Sequence, residues 1–377
     1  MPAINQFVAG FTHGDAISQE ALALQRVFAS WGCVGEIFCE RRRVLPELRG
    51  SVRDLDEAQT ACGPDSIAFL HLSIGSPCNA AFARLAARKA ILYHNITPPA
   101  YFRAVQPATA ALRDLGRRQL AARAGVAAVN LAVSRYNAGE LEAEGYRDVG
   151  VVPLVVDWTR YATPPDRALL RELDDEHVNI LFVGRGAPNK RIDDLLQAVA
   201  TLRYGIEPRA RLIHVGSYAG AERYRMVLEA RARELGLRDT RFLGAIPQAA
   251  LNACYRAASV FLCMSEHEGF CIPLLEAMRF DVPVAARACA AVPETLDGAG
   301  VLFAETDYPL IAEILARLAQ PGVLRDGVLA AQRARLARYQ ARDLGAELRH
   351  HLAPLLGHGS TVHGWEIHGN NRQPLNR

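Results

Sequence analysis

Lysine is almost absent from this chain of 377 residues. It stands only at Lys89 and Lys190, so 41 of the 43 basic residues are arginines. We interpret this excess of arginine as mutational or codon bias, so a single arginine carries little functional information, whereas a lysine needs a specific reason. The formal net charge is only +3, which by itself indicates neither a nucleic-acid partner nor a charged membrane surface.

Cysteine patterns typical of metal sites are also missing. None of the eight cysteines forms a C-x-x-C pair, and no histidine cluster accompanies them at zinc spacing. Most lie in apolar runs, where a reduced cysteine behaves as a small hydrophobic residue. The N-terminus has no basic flank before an apolar stretch, and polar residues interrupt the run 66–83. We therefore expect a cytoplasmic protein without signal peptide or membrane span, at most peripheral at the cytoplasmic membrane face.

Short apolar runs alternate with helical periodicity along the chain, which is typical of parallel βαβ units. A chain of this length usually needs two cores. We predict an α/β protein with two doubly wound, Rossmann-like parallel-sheet domains that face a cleft. The predicted strands are residues 6–11, 34–39, 66–72, 90–94, 125–133 and 149–156 in the first half, and 178–183, 211–215, 241–243, 259–264, 282–286 and 301–303 in the second.

A segment rich in proline and charge, residues 157–176, separates the two halves and is the predicted linker. We assign residues 1–158 to an N-terminal domain and 159–337 to a second domain. Residues 338–357 form a C-terminal helix expected to pack back toward the first domain, and 358–377 a polar tail. Because ligands of open α/β sheets bind outside the carboxyl ends of the strands, functional residues should lie in the loops that follow strands.

The loop after the predicted strand 178–183 reads GRGAPNK, residues 184–190. Glycine permits a tight turn, and Arg185 and Lys190 lie beside a helix N-terminus, which already favours anions. Two cations at one helix end repel each other unless an anion bridges them, and a diphosphate would do so. A solvated surface loop is the alternative, but the scarcity of lysine favours a function for Lys190.

A second motif, SEHEGFCIPLLEAM at residues 265–278, follows the predicted strand 259–264. Glu268 lies in a loop before a helix, and Glu276 lies one turn inside that helix among apolar residues. A carboxylate in apolar surroundings needs a partner, and the two hydroxyls of a ribose are suitable ones. The alternative is a solvated glutamate on an amphipathic helix.

This second motif resembles the E-x7-E motif of the retaining family-four glycosyltransferases, which have the two-domain GT-B fold. The run SEHEGFCIPLLEAMRFDVPV is similar to the family pattern S-x-x-EGFG-x-P-x-LEAM. Further similar segments occur in the family's order along almost the whole chain. They are HLSIGSP, LYHNITPPAYF, GRRQLAARAG, SRYNAGELEAEGY and VVPLVVD in the first half, and VGRGAPNK, FLGAIPQAALNACYRAASVFLCMS and VPETLDGAGVLF in the second. The first-half segments resemble a branch that assembles surface polysaccharides (O-antigen, capsule or exopolysaccharide).

The resemblance implies that residues 1–158 form the acceptor-side domain and residues 159–337 the nucleotide-sugar donor domain. It also implies roles for the charged residues of the second half. Arg185 and Lys190 would hold the diphosphate of a nucleotide-sugar donor. Glu276 would bind the ribose hydroxyls, and Glu268, a catalytic residue, would contact the transferred sugar.

Backbone groups would supply further donor contacts, according to the same resemblance. One position departs from the family pattern: Cys271 stands where glycine is common, so its side chain would narrow the sugar pocket. The positions expected at the sugar and phosphates are Gly269, Phe270, Cys271 and Ile272, and those flanking the base are Leu243, Gly244 and Ile246.

For the first half, the resemblance implies that Gly14 approaches the diphosphate. It also implies that His94, at the end of a strand, is a second catalytic residue that contacts the donor sugar. A structural histidine is the alternative for His94. We place weaker candidates on the acceptor side, where they touch the acceptor or close the cleft: His71, Ser134, Arg135 and Asn137.

We expect no cofactor and no metal. Asp54 and Asp56 match the D-x-D pattern of metal-dependent glycosyltransferases, but no apolar strand precedes them, and placed cations can stabilise a leaving diphosphate instead. A basic stretch with Arg113, Arg117, Arg118 and Arg123 suits anionic lipid headgroups, although we favour a solvated helix face. The expected partners are a GDP- or UDP-sugar and a glycan or lipid-linked acceptor, with no nucleic acid and only a peripheral contact with the inner membrane.

The predicted function is the retaining transfer of a hexose, mannose by branch resemblance, to a hydroxyl of a growing, lipid-linked glycan. Two alternatives stay open: an isomerase of the same fold, similar to sugar-nucleotide 2-epimerases, and a non-catalytic subunit that binds nucleotide sugars. The motif context favours the transferase, because an epimerase needs acid and base groups for proton abstraction.

Overall fold

Seven parallel strands form the first sheet, in the order β3-β2-β1-β4-β5-β6-β7. The computed structural model describes residues 1–357, so the predicted polar tail 358–377 lies outside the described residues. The strands are β1 (Ile4–Phe7), β2 (Ile37–Cys39), β3 (Arg53–Asp54), β4 (Ile67–Leu72), β5 (Arg88–Tyr93), β6 (Val129–Ala132) and β7 (Val149–Val151). The helices are α1 (Ala16–Ser30), α2 (Ala58–Ala61), α3 (Pro77–Arg84), α4 (Pro107–Ala121) and α5 (Arg135–Ala143).

Six parallel strands form the second sheet, in the order β10-β9-β8-β11-β12-β13. The helix α6 (Arg167–Leu173) precedes it. The strands are β8 (Val178–Val183), β9 (Ala210–Val215), β10 (Arg241–Gly244), β11 (Val260–Cys263), β12 (Val284–Arg287) and β13 (Val301–Phe303). The remaining helices are α7 (Ile192–Gly205), α8 (Glu222–Glu234), α9 (Gln248–Ala257), α10 (Ile272–Arg279), α11 (Val292–Leu296), α12 (Tyr308–Ala319), α13 (Val323–Gln340) and α14 (Leu344–Leu356).

The two doubly wound parallel sheets confirm the predicted α/β class. The Asp15 side chain caps the first helix, α1, by accepting from the Ser18 amide at 2.9 Å, and Ala21, Leu24 and Phe28 are buried on one face. No helix within residues 1–357 is both long and apolar enough to cross a lipid bilayer.

Several strands are shorter than predicted, and one was missed. β1 ends at Phe7, after which only a single bridge joins Phe11 to Val44. β7 ends at Val151, because the apolar residues that follow pack between the domains and not in the sheet. The missed strand, β3, has two charged residues and lies at the sheet edge, so it carries no apolar signal.

The predicted linker contains structure of its own. Asp166 caps α6, Leu173 is fully buried, and α6 packs against α9 of the second domain. At the other end of the chain, α14 packs against β5 and β6, and Arg88 donates a hydrogen bond to the Leu355 carbonyl. The chain therefore crosses between the two sheets twice, once after β7 and once between α13 and α14.

Candidate active site at the domain interface

The two charged motifs of the second half lie side by side, because β8 and β11 are neighbours at the point where the strand order reverses. The Glu266 amide donates to the Asn189 carbonyl at 2.8 Å. The Asn189 side chain in turn donates to the His267 carbonyl at 3.0 Å. These two bonds fasten the loop after β8 to the loop after β11, so both motifs form one site.

Lys190 and Glu268 form an ion pair at the centre of this site. The Lys190 ammonium lies 2.6 Å from Glu268 Oε1, and the Ser265 hydroxyl donates to the same oxygen at 2.8 Å. Burial alone would lower the pKa of Lys190, but the adjacent carboxylate outweighs it and raises that pKa above its usual value. The lysine therefore stays charged at neutral pH, in a pocket where Glu268 is only 7% exposed.

Arg185 occupies a different position from Lys190. Its side chain is exposed, and within residues 1–357 it has no hydrogen-bond or ion-pair partner. Across the interface, the Arg113 guanidinium lies over the Phe102 ring at 4.4 Å, and its buried Nε has no partner in the described part of the chain. Burial, with the nearby charges of Arg185 and Arg117, lowers the pKa of Arg113 to about 10. This end of the site thus holds more positive than negative charge.

Two buried residues, His214 and Tyr218, support the backbone of the loop 184–186. His214 Nε2 lies 2.9 Å from the Gly184 carbonyl, and the Tyr218 hydroxyl lies 2.8 Å from His214 Nδ1. Burial lowers the pKa of His214 to about 4, so the ring is neutral. A Cβ at Gly186 would stand 2.1 Å from the Tyr218 ring, so glycine is required for this close packing.

Glu276 is buried, and two tyrosines bond to its carboxylate. The Tyr161 hydroxyl donates to Oε1 at 2.6 Å and the Tyr255 hydroxyl to Oε2 at 2.5 Å. Burial and the Glu276 charge raise the pKa of both tyrosines, so both remain donors. The structure therefore excludes a solvated glutamate at this position. The polar partners of the carboxylate in this structure are two tyrosine hydroxyls of the protein itself.

Cys271 precedes α10 in the left-handed backbone region, with φ +71°. That conformation explains why a glycine suits this position, and a residue with a side chain there costs about 1 kcal/mol. The Cys271 side chain is buried beside Glu268: its sulfur, that of Cys263 and a Glu268 carboxylate oxygen lie within 4.8 Å of one another. Phe270 is also buried, and Ile272 begins α10.

The loop predicted to flank a base lies at the carboxyl end of β10. Gly244 has φ +68° and its carbonyl accepts from the Gly216 amide at 2.9 Å. The side chains of Leu243 and Ile246 are partly exposed. The loop therefore leaves both side chains and backbone groups open beside the site.

Loops of the first domain contact the second motif directly. His267 Nε2 lies 2.7 Å from Asn95 Oδ1, and Asn137 donates to the Gly269 carbonyl at 3.2 Å. A Cβ on Gly269 would stand 2.6 Å from both the Asn95 side chain and the His94 carbonyl. Close approach of the two domains therefore needs glycine at position 269.

The α5 N-terminus makes a second contact between the domains. The Ser134 hydroxyl caps this helix by accepting from the Asn137 amide. Glu294 of the second domain accepts hydrogen bonds from the Arg135 amide, at 2.8 and 2.9 Å. A carboxylate is stabilised at a helix N-terminus. Of the two roles considered for Ser134, Arg135 and Asn137, these contacts favour closing the cleft.

The two histidines of the first domain lie in a buried polar chain. His71 Nε2 lies 2.9 Å from Gln6 Oε1, and His71 Nδ1 lies 2.9 Å from His94 Nε2. His94 Nδ1 then faces Glu20 at 3.4 Å. His71 is fully buried, which corrects the expectation that it faces an acceptor. The His94 imidazole is only 3% exposed, so a sugar contact from it stays a prediction that requires the ring to turn.

We predict that Glu20 makes stability depend on pH. Burial raises the pKa of Glu20 to about 8, against smaller opposing effects of the Val155 backbone and Arg342. Because the folded state binds this proton more tightly than the unfolded chain, stability falls as the pH rises from about 4.5 to about 8. Glu20→Gln should lose this dependence, so its free energy of unfolding should gain about 3 kcal/mol relative to wild type between pH 5 and 8.

Denaturant unfolding of both proteins at pH 5 and pH 8 measures this difference. Parallel pH profiles for wild type and Glu20→Gln would refute the assignment of a neutral, buried Glu20.

Gly14 lies in an exposed turn with φ +71°, and its approach to a donor diphosphate stays a prediction. One first-domain expectation differs from the structure. The basic stretch is not a solvated face: Arg117 bonds to Glu140 and to the Ile96 carbonyl, and Arg123 bonds to the Asn79 carbonyl. The sequence could not indicate these contacts, because nearly all basic residues of the chain are arginine and a single arginine therefore carries little information.

Sequence reasoning did not identify several residues that complete the site. Their signals were weak, because each is a common polar or aromatic residue whose partner is remote in sequence. They are Asn95, Arg113, Tyr161, His214, Tyr218, Tyr255, Ser265, His267 and Glu294.

Known structures share this architecture. Anabaena Alr3699/HepE in complex with UDP and glucose matches with a TM-score of 0.72 and 16% identity, covering 94% of this chain and 99% of that one. Sucrose-phosphate synthase from Thermosynechococcus elongatus matches with a TM-score of 0.71 and 16% identity, again covering 94% of this chain and 99% of that one. The two parallel-sheet domains therefore have the GT-B fold.

The second domain also matches a sequence family. Residues 171–335 match the family model of glycosyl transferases group 1. O-antigen chain mannosyltransferase B of Escherichia coli is 36% identical over 144 residues, 37% of this chain and 36% of that protein. D-inositol 3-phosphate glycosyltransferase of Thermomonospora curvata is 34% identical over 226 residues, 55% of this chain and 52% of that protein. The matches thus span about half, or less, of these relatives.

Proposed function

We propose that this chain is a metal-independent, retaining hexosyltransferase that moves a hexose from a nucleotide-diphosphate sugar to a hydroxyl of a growing, lipid-linked glycan. The observation that carries the proposal is the buried Lys190–Glu268 ion pair at the strand-order reversal of a domain matching group 1 glycosyltransferases. Mannose is the proposed hexose, supported by the similarity to an O-antigen mannosyltransferase.

Each half of the ion pair has a task when the donor is bound. Lys190, kept charged by its neighbour, would turn to the donor phosphates and bind them together with the exposed Arg185. Glu268 is then free to accept hydrogen bonds from hydroxyls of the transferred sugar. In the absence of donor the two groups neutralise each other, which avoids leaving a buried charge alone.

The proposed chemistry needs no carboxylate nucleophile. The bond between the anomeric carbon and the phosphate oxygen breaks, and its electron pair goes to the leaving diphosphate. The acceptor oxygen forms a bond to the same carbon on the same face, and its proton passes to the leaving phosphate oxygen. The side chains position the reactants and stabilise the charge that develops on the diphosphate.

Glu276 is the proposed ribose ligand. Its two oxygens already accept from Tyr161 and Tyr255, but a carboxylate oxygen has a further lone pair for a hydroxyl donor. The tyrosines would hold the carboxylate in place, and the base would lie against the backbone of the loop 243–246.

A thermal-shift panel tests donor binding. We expect GDP or UDP to raise the unfolding temperature, because a ligand at a hundred times its Kd stabilises the folded state by about 2.7 kcal/mol. ADP and dTDP should raise it much less. The matched monophosphates, GMP and UMP, control for the diphosphate and should give much smaller shifts. If none of the four diphosphates shifts the transition, the proposed donor site is wrong.

A further inference from the structure

Two cysteine sulfurs lie close to the carboxylate at the centre of the site. Cys263 ends β11 and is fully buried, and Cys271 precedes α10. The sulfurs of these two residues and a Glu268 oxygen lie within 4.8 Å of one another. A third thiol, that of Cys289, donates to the Ser265 carbonyl at 2.7 Å. The donor-site mechanism uses none of these thiols.

The distances suit one metal ion. In a tetrahedral zinc site with Zn–S bonds of about 2.3 Å, two sulfurs lie about 3.8 Å apart, a separation compatible with three ligand atoms that lie within 4.8 Å of one another. Two sulfurs and one carboxylate oxygen form a donor set that favours zinc over magnesium or calcium. Only small side-chain movements are needed to place all three ligands on one ion.

The site already holds a positive charge at this position. The Lys190 ammonium contacts the same carboxylate at 2.6 Å, so a metal ion on Glu268 would meet a second positive charge at the same group. Glu268 is buried, so water competes little for the ligands. The ion and the ammonium therefore oppose each other's binding to Glu268.

We propose that Cys263, Cys271 and Glu268 form a binding site for a thiophilic divalent cation, for which Zn²⁺ is the probe, and that this ion excludes the donor. Binding replaces the two thiol protons, which are released to solvent, and leaves an open fourth position for water. The ion acts as an inhibitor and not as a cofactor. The inhibitory part rests on the proposed function, whereas binding itself does not.

Titration of the reduced, metal-free protein with Zn²⁺ against a chromophoric chelator tests the site. We expect one equivalent bound by wild type, and a loss of affinity of about a hundredfold in Cys271→Gly or Cys263→Ala. Glycine tolerates the positive φ at position 271, so that variant should fold. Cys254→Ala, which removes a buried cysteine of α9, is the matched control and should bind like wild type.

Lys190→Ala gives an independent readout. Removing the positively charged ammonium beside the ion should raise Zn²⁺ affinity about tenfold, because like charges at this distance repel each other, and Co²⁺ should give the absorption bands of a tetrahedral sulfur-ligated ion. Wild type that binds no stoichiometric Zn²⁺, or Cys271→Gly that binds it as tightly as wild type, would overturn the proposal. These measurements need neither donor nor acceptor, so their outcome is separate from that of the transferase assay.

Discussion

Lys190→Ala is expected to reduce turnover by about two to three orders of magnitude, because it removes a positioned charge that stabilises the leaving diphosphate. The ammonium is buried beside Glu268, and the exposed Arg185 cannot take its position. Glu268 keeps the Ser265 hydroxyl as a partner, so the variant should still fold. Steady-state release of nucleoside diphosphate, with circular dichroism as the folding check, measures the effect.

The chain supplies a well-matched control for this experiment. Lys89 is the only other lysine, and its ammonium donates to the Leu85 carbonyl in the first domain. Lys89→Ala should therefore leave turnover near the wild-type value. Lys190→Arg should restore little, because a planar guanidinium does not replace a compact ammonium in a buried contact. Near-normal turnover in Lys190→Ala would contradict the phosphate assignment.

Glu268→Gln is expected to reduce mainly turnover, whereas Glu276→Gln is expected to reduce mainly nucleotide affinity. Glu268→Gln should lower turnover about a hundredfold while nucleoside diphosphate affinity changes little, because this carboxylate is assigned to the sugar. Glu276→Gln should weaken nucleoside diphosphate binding about tenfold or more, the usual effect of losing a hydrogen bond to a charged group. Calorimetry gives the affinities, and product assays give the turnover.

The two tyrosines allow a structural role of Glu276 to be separated from ribose binding. Tyr161→Phe and Tyr255→Phe each remove one hydroxyl that now bonds to Glu276 but keep the carboxylate. If Glu276 binds ribose, both tyrosine variants should bind nucleotide more tightly than Glu276→Gln does. If Glu276→Gln lowers only the unfolding temperature and leaves affinity intact, the ribose assignment is wrong.

Much of the fold could be predicted because apolar runs and helical periodicity repeat through both halves. The pattern failed where it carried no information: the two-residue strand β3 is charged, and the apolar residues after Val151 pack between domains instead of in a sheet. Helix α6 was assigned to a linker because prolines and charges precede it, although Leu173 is fully buried.

The site was predictable where a local motif defines it: Lys190 and Glu268 each lie in a loop after a strand, as the two motifs indicate, but their ion pair was not predicted. Side-chain directions were not predictable. His94 ends a strand as expected, but its ring turns inward to His71 and Glu20, which only the tertiary packing of three separate segments determines. The partners of Glu276 likewise come from a connecting segment and from α9.

The most direct test of the account is a transfer assay in D₂O with GDP-mannose or UDP-glucose and a synthetic lipid-linked mannoside, followed by nuclear magnetic resonance of the products. We predict that nucleoside diphosphate is released only when acceptor is present. The new glycosidic bond should have the anomeric configuration of the donor, without deuterium in the sugar. An inverted linkage, deuterium incorporation without acceptor, or binding of donor with no transfer would contradict the account.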